Sequence, residues 1–325
     1  MAVFTTLTPL EVRKELPDFN IGEFLSLEPI ASGIENTNYF LDTTEGRWVL
    51  TVFERLSESQ LPFYLELCAH LRSQGCPVAA PVRTKSGQLF SHIKGKPFSI
   101  ANRLEGRSIE NVTAKECASM GEVLARMHIA ARGFSLLQEN LRGPQWWQAT
   151  APVVLPHLDP TVGAMLSEEV NHQLTVFSDS QFQALPVAAC HCDLFRNNAM
   201  IVGHGTEQEH VSGVFDFYFA GCTALLFDVA VTVNDWCTDF ESPDLHLDPR
   251  KTEAFLRAYH AVLPFTDAER RWWPDMLRAA ALRFWLSRLY DFYQPRKASL
   301  LKPHDPTYFE RILRNRKRVT FPLVD

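Results

Sequence analysis

The sequence predicts an α+β fold of two lobes, a strand-rich N-terminal lobe with one helix and a larger, mainly helical C-terminal lobe. Within residues 1–103, aromatic and β-branched residues cluster in short runs between turn residues, which is typical of antiparallel strands. Within residues 104–325, apolar residues recur mainly at helical spacing. The chain has 325 residues, 46% of them hydrophobic, so both lobes can form a core of their own.

The N-terminal lobe is predicted to contain two hairpins separated by a helix. The four strand-like runs are residues 38–42, 47–53, 88–93 and 97–103. Gly46 belongs to the turn of the first hairpin, and Lys94–Lys96 forms the turn of the second. Leucines at helical spacing predict the helix over residues 59–74, and Gly75 stands where a glycine commonly ends a helix.

The C-terminal lobe is predicted to begin near a hinge at Leu104–Gly106. Thr113 and Glu116 form a capping box, and apolar residues up to His128 follow at the spacing of a buried helix face. Further helices are predicted over residues 161–177, 223–236, 249–262 and 267–293, with a β-like segment around residues 199–216.

Charge and cysteine content argue against several classes of function. The net charge of −6 gives no general basic field for nucleic acid. A basic run near the C-terminal end is expected to be the solvated face of a last helix; it comprises Arg311, Arg314, Arg316, Lys317 and Arg318. Seven irregularly spaced cysteines and no signal-like or membrane-spanning stretch favour a cytoplasmic protein without a membrane role.

Three polar residues in two neighbouring loops carry the strongest functional signal. Asp193 and Asn198 lie five residues apart before a short apolar strand, and Asp216 follows a second one. Phosphoryl transfer to a hydroxyl requires a carboxylate that accepts the hydroxyl proton and oxygen ligands for Mg²⁺. Asp193 suits the first role, and Asn198 and Asp216 suit the second. A zinc site in Cys190–Asp193 is disfavoured, because adjacent side chains cannot easily converge on one metal.

The pattern of His191, Asp193, Asn198 and Asp216 resembles the catalytic loops of the aminoglycoside-phosphotransferase and choline-kinase-like superfamily, distant relatives of protein kinases. The resemblance implies a protein-kinase-like fold that uses ATP and Mg²⁺, with nucleotide bound by the N-terminal lobe and catalysis in the C-terminal lobe. It also implies that Asp193 is the catalytic base, that Asn198 and Asp216 bind the metal, and that His191 and Asp228 support the catalytic loop.

Nucleotide binding cannot rest on a P-loop or a dinucleotide motif, because neither occurs in the sequence. The segment Ala31–Asn38 is the candidate phosphate loop. Thr51 occupies the position of the usual kinase lysine, so the phosphates would be held by backbone, by metal or by another cation such as Arg55. The expected nucleotide-binding residues are Ser32, Gly33, Asn36, Asn38, Thr51, Glu66 and Asn102.

A closer resemblance, to the homoserine kinases of this superfamily, spans nearly the whole chain. It rests on segments such as Ser32–Phe40, Val49–Glu54 and Arg283–Leu289, and Thr51 is part of that pattern. The implied substrate, L-homoserine, is a zwitterion, so its pocket is expected to offer Asp235 to the ammonium and Arg283 or Arg288 to the carboxylate.

The sequence leaves several alternatives open. The acceptor could be choline, an aminoglycoside or a sugar, because fold does not fix substrate. The missing lysine also allows a nucleotide-binding pseudokinase, which the intact trio of Asp193, Asn198 and Asp216 opposes. A monomer or a homodimer is expected.

Overall fold

The computed structural model describes residues 4–30, 36–294, 304–319 and 321–324. Their contacts divide into two compact units. Unit 1 comprises the described residues up to Glu105 together with Gly213–Phe215, and unit 2 comprises Gly106–Ser212 and the described residues from Asp216 onward. The separate roles expected for residues 1–103 and 104–325 stay predictions.

Unit 1 contains two helices and five strands: α1 (Pro9–Glu15), β1 (Phe24–Pro29), β2 (Thr37–Thr43), β3 (Gly46–Val52), α2 (Leu61–Ser73), β4 (Ser91–Ile93) and β5 (Lys96–Asn102). The five strands form one antiparallel sheet with the order β1-β2-β3-β5-β4. Helix α1 shares an apolar core with the sheet, to which Val12, Leu41, Leu50 and Ile100 contribute buried side chains.

The turns of unit 1 follow the glycine positions that the sequence indicated. Thr43 pairs with Gly46 at the end of the β2–β3 hairpin, and Ile93 pairs with Lys96 at the end of the β4–β5 hairpin. Gly75 has a φ of +81° just beyond α2, the left-handed conformation that glycine adopts most easily.

Unit 2 is mainly helical and carries two short strand pairs. Its helices are α3 (Ala114–Ala131), α4 (Pro144–Val154), α5 (Pro160–Ser178), α6 (Ser180–Gln183), α7 (Leu225–Trp236), α8 (Pro249–Val262), α9 (Asp267–Tyr293) and α10 (Thr307–Arg318). Its strands are β6 (Val187–Cys190), β7 (Ala199–Val202), β8 (His210–Val214) and β9 (Gly221–Ala224), with β6 paired to β9 and β7 to β8. The last two residues of β8 belong to unit 1.

Helices α3 and α8 approach each other closely at Gly121. A Cβ atom added there would lie 2.3 Å from the carbonyl oxygen of Phe255 and 3.2 Å from the backbone nitrogen of Tyr259. The absence of a side chain at Gly121 therefore sets the separation of the two helices.

The α+β fold class with an N-terminal sheet and a mainly helical C-terminal part is confirmed, but individual predictions need correction. The helix expected from residue 223 begins at Leu225, because Thr223 and Ala224 belong to β9. The strand expected over residues 88–93 covers only Ser91–Ile93. No helix in the described part of the chain is both long and apolar enough to span a membrane.

The sequence predicts that the basic run on α10 is solvated throughout. This prediction is wrong for Arg316. Arg316 is 4% exposed. Its guanidinium donates to Asn234 Oδ1 at 2.9 Å, to the Leu245 carbonyl at 2.9 Å and to Thr238 Oγ1 at 2.8 Å. Arg316 therefore fastens α10 to α7 and to the segment that follows α7.

Candidate active site

The backbone of the loop between β6 and β7 is bound by one buried carboxylate, that of Asp228 in the first turn of α7. Asp228 Oδ2 accepts the backbone N–H of His191 at 2.9 Å, and Oδ1 accepts that of Cys192 at 2.7 Å. Cys192 has a φ of +61°, which is uncommon for a residue with a side chain. Asp228 thus stabilises the uncommon backbone turn directly before Asp193. The supporting role expected for Asp228 and His191 stays a prediction.

A second layer of polar groups supports Asp228. The Nε2 of His128 lies 3.1 Å from Asp228 Oδ2, and its Nδ1 lies 2.8 Å from the Tyr259 hydroxyl. Burial raises the pKa of Asp228, but hydrogen bonds from His128 and Cys192 and the charges of His128 and His191 outweigh it and lower the pKa below its usual value. The carboxylate is therefore ionised at neutral pH.

Asp193 and Asn198 are brought together by the loop itself. Asn198 Nδ2 donates to the carbonyl oxygen of Asp193 at 2.8 Å and lies 3.4 Å from Asp193 Oδ2. The Asp193 side chain remains 18% exposed, so the carboxylate can be reached by a substrate. Because the amide nitrogen of Asn198 is used in this way, its Oδ1 is left as a possible metal ligand.

Asp216 belongs to the same end of the β7–β8 hairpin as Asn198. Strand β7 begins directly after Asn198, and the paired strand β8 ends two residues before Asp216. Asp216 is exposed and has a φ of +65°, again an uncommon backbone conformation. One amide oxygen and one carboxylate fit the preference of Mg²⁺ for oxygen ligands.

Arg196, which the sequence did not indicate as a site residue, links the loop to helix α7. Arg196 donates through its backbone N–H to Asp235 Oδ2 at 2.8 Å and through Nε to the same oxygen at 3.0 Å. Its Nη1 donates to the carbonyl oxygen of Glu110, and the guanidinium carbon lies 3.8 Å from the centroid of the Phe240 ring. In the sequence, only its position between Asp193 and Asn198 could have indicated that Arg196 belongs to the site. Asp235, expected to bind substrate, is paired with Arg196 in this structure.

The two arginines expected to bind substrate lie on α9. Arg283 Nη2 is 3.5 Å from Asp193 Oδ1, and the Arg283 side chain is 5% exposed. Burial lowers the pKa of Arg283 to about 10, although the charge of Asp193 opposes that shift, so the side chain is a cation at neutral pH. Arg288 is half-buried, and burial lowers its pKa against the charges of Asp193, Asp291 and Asp235.

Cys190 and Cys192, which directly precede Asp193, are free thiols. Burial raises the pKa of both Cys190 and Cys192 well above the usual value, and the nearby charge of Asp228 raises it further. These thiols are therefore protonated at neutral pH, and they pack as small apolar side chains.

The residues expected to bind nucleotide lie in unit 1 wherever they are described. Thr51 donates to Asn38 Oδ1 at 2.8 Å, so the residue that replaces the kinase lysine is tied to strand β2. Asn36 Oδ1 accepts from the backbone N–H of Glu54 at 3.4 Å. Ser32 and Gly33 lie outside the described residues.

Two further members of that group have partners elsewhere in unit 1. Glu66, on α2, forms an ion pair of 2.7 Å with Arg83. Asn102 Oδ1 accepts from the backbone N–H of Ala80 at 2.9 Å. Their expected contacts with nucleotide stay predictions.

Several solved structures of similar fold are phosphotransferases. An amicoumacin kinase in complex with AMP-PNP, Ca²⁺ and Ami superimposes with a TM-score of 0.69 at 15% identity, covering 96% of this chain and 93% of that one. A spectinomycin phosphotransferase in complex with ADP and spectinomycin gives a TM-score of 0.64 at 11% identity, covering 97% and 99%. At such low identities the likeness shows the fold alone, which is kinase-like.

Comparison of sequences identifies the family more specifically than comparison of folds. A homoserine kinase of Cupriavidus necator is 51% identical over 97% of this chain and 96% of its own length. A homoserine kinase of Paraburkholderia phymatum is 50% identical over 97% and 98%. The model of the phosphotransferase enzyme family matches residues 26–273, and the resemblance read from the sequence is confirmed. The chain belongs to the phosphotransferase enzyme family and, within it, to the branch formed by these homoserine kinases.

Proposed function

We propose that the chain is an ATP-dependent homoserine kinase, which transfers the γ-phosphoryl group of ATP to the side-chain hydroxyl of L-homoserine. The products are ADP and O-phospho-L-homoserine, and the reaction is a step toward threonine. The single observation that carries the proposal is the identity of about half of all residues, over nearly the full length, with curated homoserine kinases.

Asp193 is the proposed general base. Its partly exposed carboxylate accepts the proton of the acceptor hydroxyl while the hydroxyl oxygen attacks the γ-phosphorus and the bond to the ADP oxygen breaks. The brace from Asp228 and the hydrogen bond from Asn198 support this role, because they restrain the loop on both sides of Asp193.

Asn198 and Asp216 are the proposed ligands of Mg²⁺. When bound, the ion would neutralise charge on the nucleotide phosphates. The oxygen chemistry of both side chains and their place at one end of the β7–β8 hairpin support the assignment.

The nucleotide is proposed to contact unit 1 through Ser32, Gly33, Asn36, Asn38, Thr51, Glu66 and Asn102. Because Thr51 carries no charge, backbone amides and the metal would take over the contacts that a lysine makes in protein kinases. The hydrogen bond between Thr51 and Asn38 would then serve to position strand β2 beside the phosphate loop.

The acceptor pocket is proposed to draw on Asp235 for the ammonium group and on Arg283 or Arg288 for the carboxylate. All three carry a charge of the required sign, and the charges of Asp193 and Asp235 act on Arg288. We further propose a cytoplasmic location and a monomeric or homodimeric state.

A coupled assay of ADP release over a panel of acceptors tests the proposal. L-Homoserine should give the highest kcat/KM of a panel that also contains choline, a sugar and an aminoglycoside. A higher rate with one of these three would overturn the substrate. Binding of ATP and Mg²⁺ without turnover of any acceptor would instead indicate a pseudokinase.

Asp193→Ala provides the mechanistic control for the same assay. It should lower kcat by a factor of about 10² to 10⁴, the usual contribution of a general base, while ATP binding is retained. Turnover like that of the wild type would remove Asp193 from its proposed role.

A further inference from the structure

Two neighbouring residues of the loop between β6 and β7 have no part in the proposed function, yet both make extensive contacts. Phe195 follows the proposed base, Asp193, by two positions. Arg196 begins the single turn of 3₁₀ helix that ends at Asn198, a proposed metal ligand. The two side chains therefore lie on the stretch of backbone that joins the base to the metal ligand. Whatever holds these side chains also restrains the separation of the two proposed site residues.

The ring of Phe195 packs into an aromatic cluster to which α9 and α10 contribute. Its centroid lies 4.4 Å from that of Phe284 on α9 and 5.9 Å from that of Phe309 on α10. The centroids of Phe284 and Phe309 are 5.2 Å apart, with ring planes inclined by 27°. Both rings are buried, and side chains in a close-packed interior have little room to move. Phe195 is therefore held by α9 and α10 together.

Arg196 reaches α10 through one intervening ring. Its guanidinium carbon lies 3.8 Å from the centroid of the Phe240 ring, a cation–π contact. Phe240 in turn stacks on Tyr308 of α10, with a centroid distance of 6.0 Å and an angle of 7° between the planes. The same guanidinium donates through Nε to Asp235 Oδ2 at 3.0 Å, so its orientation matters for the link between the loop and α7. Tyr308 therefore supports this link through the Phe240 ring.

Helix α10 is also fastened to the segment that carries Phe240 by contacts that involve neither ring. Asn315 Nδ2 donates to Asp244 Oδ2 at 3.0 Å. Arg316 Nη1 donates to the Leu245 carbonyl oxygen at 2.9 Å. Because these bonds are independent of the aromatic contacts, a change at one ring should leave α10 in its place.

We propose that Tyr308 and Phe309 of α10 are positioning residues for phosphoryl transfer, which hold the loop backbone between Asp193 and Asn198. This assignment rests on the proposed roles of Asp193 and Asn198 and gives the last helix a part in catalysis. The two adjacent rings of α10 support two adjacent loop residues, one directly and the other through one intervening ring. Such support affects the rate, because a displacement of about 1 Å can lower the rate of a positioned reaction about 10²-fold.

Steady-state kinetics of ring substitutions test the proposal. Tyr308→Leu and Phe309→Leu should each lower kcat by about tenfold, because the loop loses one support and keeps its bonds to α7. The KM values for ATP and for the acceptor should change by less than about threefold, since neither residue is proposed to contact them. Tyr308→Phe keeps the ring and should retain the kcat of the wild type. Each variant is assayed at a temperature at which circular dichroism shows that it is folded.

Phe182→Leu is the matched control for Phe309→Leu. Phe182 is likewise buried in unit 2, and its ring also contacts two others, those of Phe177 at 4.5 Å and Trp272 at 5.8 Å. These three rings belong to α6, α5 and the N-terminal part of α9. The control should lower the melting temperature about as much as Phe309→Leu does, and it should leave kcat unchanged.

A double-mutant cycle tests the route from Tyr308 to the loop. If Tyr308 acts through the Phe240 ring, its replacement by leucine should lower kcat by less than about twofold in a Phe240→Leu background. The full tenfold loss in that background would show that Tyr308 acts by another route, and it would overturn the inference.

The remaining outcomes separate the inference from the function on which it rests. An unchanged kcat in either Tyr308→Leu or Phe309→Leu would overturn the inference alone, as would an equal loss of kcat in Phe182→Leu. A raised KM with unchanged kcat would place α10 in a binding site and also overturn it. The measurements use the acceptor that the wild type phosphorylates fastest, so a wrong substrate would overturn the proposed function and leave the inference standing. Wild-type turnover in Asp193→Ala would overturn both.

Discussion

Replacing Asp228 by asparagine should destabilise unit 2 and displace Asp193, the proposed base, although the two side chains have nearly the same size. The two oxygens of Asp228 accept the backbone N–H groups of His191 and Cys192 separately. Asparagine has a single acceptor oxygen, so in either orientation one N–H would face an amide NH₂ group. A buried donor without an acceptor, added to the weaker hydrogen bond that a neutral amide would make with His128, should cost about 3–5 kcal/mol.

The expected loss of activity follows from the position of Cys192. Without its acceptor, the left-handed turn at Cys192 should relax and displace the neighbouring Asp193. A displacement of about 1 Å can lower the rate of a positioned reaction about 10²-fold. Urea unfolding followed by tryptophan fluorescence would measure the stability of Asp228→Asn, and the ADP-release assay would measure kcat.

Asp248→Asn is the matched control. Asp248 also accepts two backbone N–H groups, from Arg250 at 2.8 Å and Lys251 at 3.1 Å, but a single oxygen accepts both. Asparagine keeps that oxygen and is as good an N-cap, so the change should cost a few tenths of a kcal/mol. If Asp228→Asn cost no more than Asp248→Asn, the reasoning about paired acceptor oxygens would be refuted.

The carboxylate of Asp228 should also make the stability of the folded protein depend on pH. The pKa of Asp228 is lowered in the folded state, so its contribution is complete above the unfolded value of about 3.9 and is lost as the pH falls toward the lowered value. Thermal melts between pH 6 and pH 2 should therefore fall more steeply for the wild type than for Asp228→Asn. Parallel curves would contradict the lowered pKa.

Two further predictions concern packing and thiol chemistry. Gly121→Ala should lower the free energy of unfolding by about 1–3 kcal/mol, since the new methyl group would meet the Phe255 carbonyl, whereas Gly163→Ala on α5 has ordinary contacts and should be neutral or stabilising. Equal effects of both changes in a urea titration would contradict the close approach of α3 and α8. In the native protein, a maleimide reagent should label the partly exposed Cys222 faster than the buried Cys190. Peptide mass spectrometry would measure both labelling rates, and equal rates would count against the burial of Cys190.

Long elements with strong end signals were predictable from the sequence. The helices at Pro249–Val262 and Asp267–Tyr293 have the predicted bounds, because Asp248 and Thr266 cap them and an apolar periodicity continues between their ends. Short elements gave no such signal. Strand β9 is four residues of an apolar run that continues into α7, so periodicity alone could not separate the two.

Within the site, the local motif was predictable and the long-range pairing was not. The spacing of Asp193, Asn198 and Asp216 indicated phosphoryl transfer without knowledge of the fold. The pairing of Arg196 with Asp235 joins residues 39 positions apart, and only the packing of α7 against the loop brings them together. For the same reason, the charge of Arg316 suggested solvent, whereas buried oxygen atoms surround it.

The burial of Arg316 has a consequence for synthesis of the chain. Until residue 316 has left the ribosome, the Asn234 amide oxygen, the Thr238 hydroxyl and the Leu245 carbonyl lack the donor that they share in the finished protein. A nascent unit 2 that ends at α9 would hold these polar oxygens in an incomplete core, with the apolar face of α9 that receives α10 open to water. Unit 2 should therefore become resistant to protease only after its last helix has been translated, while the sheet of unit 1 can form much earlier.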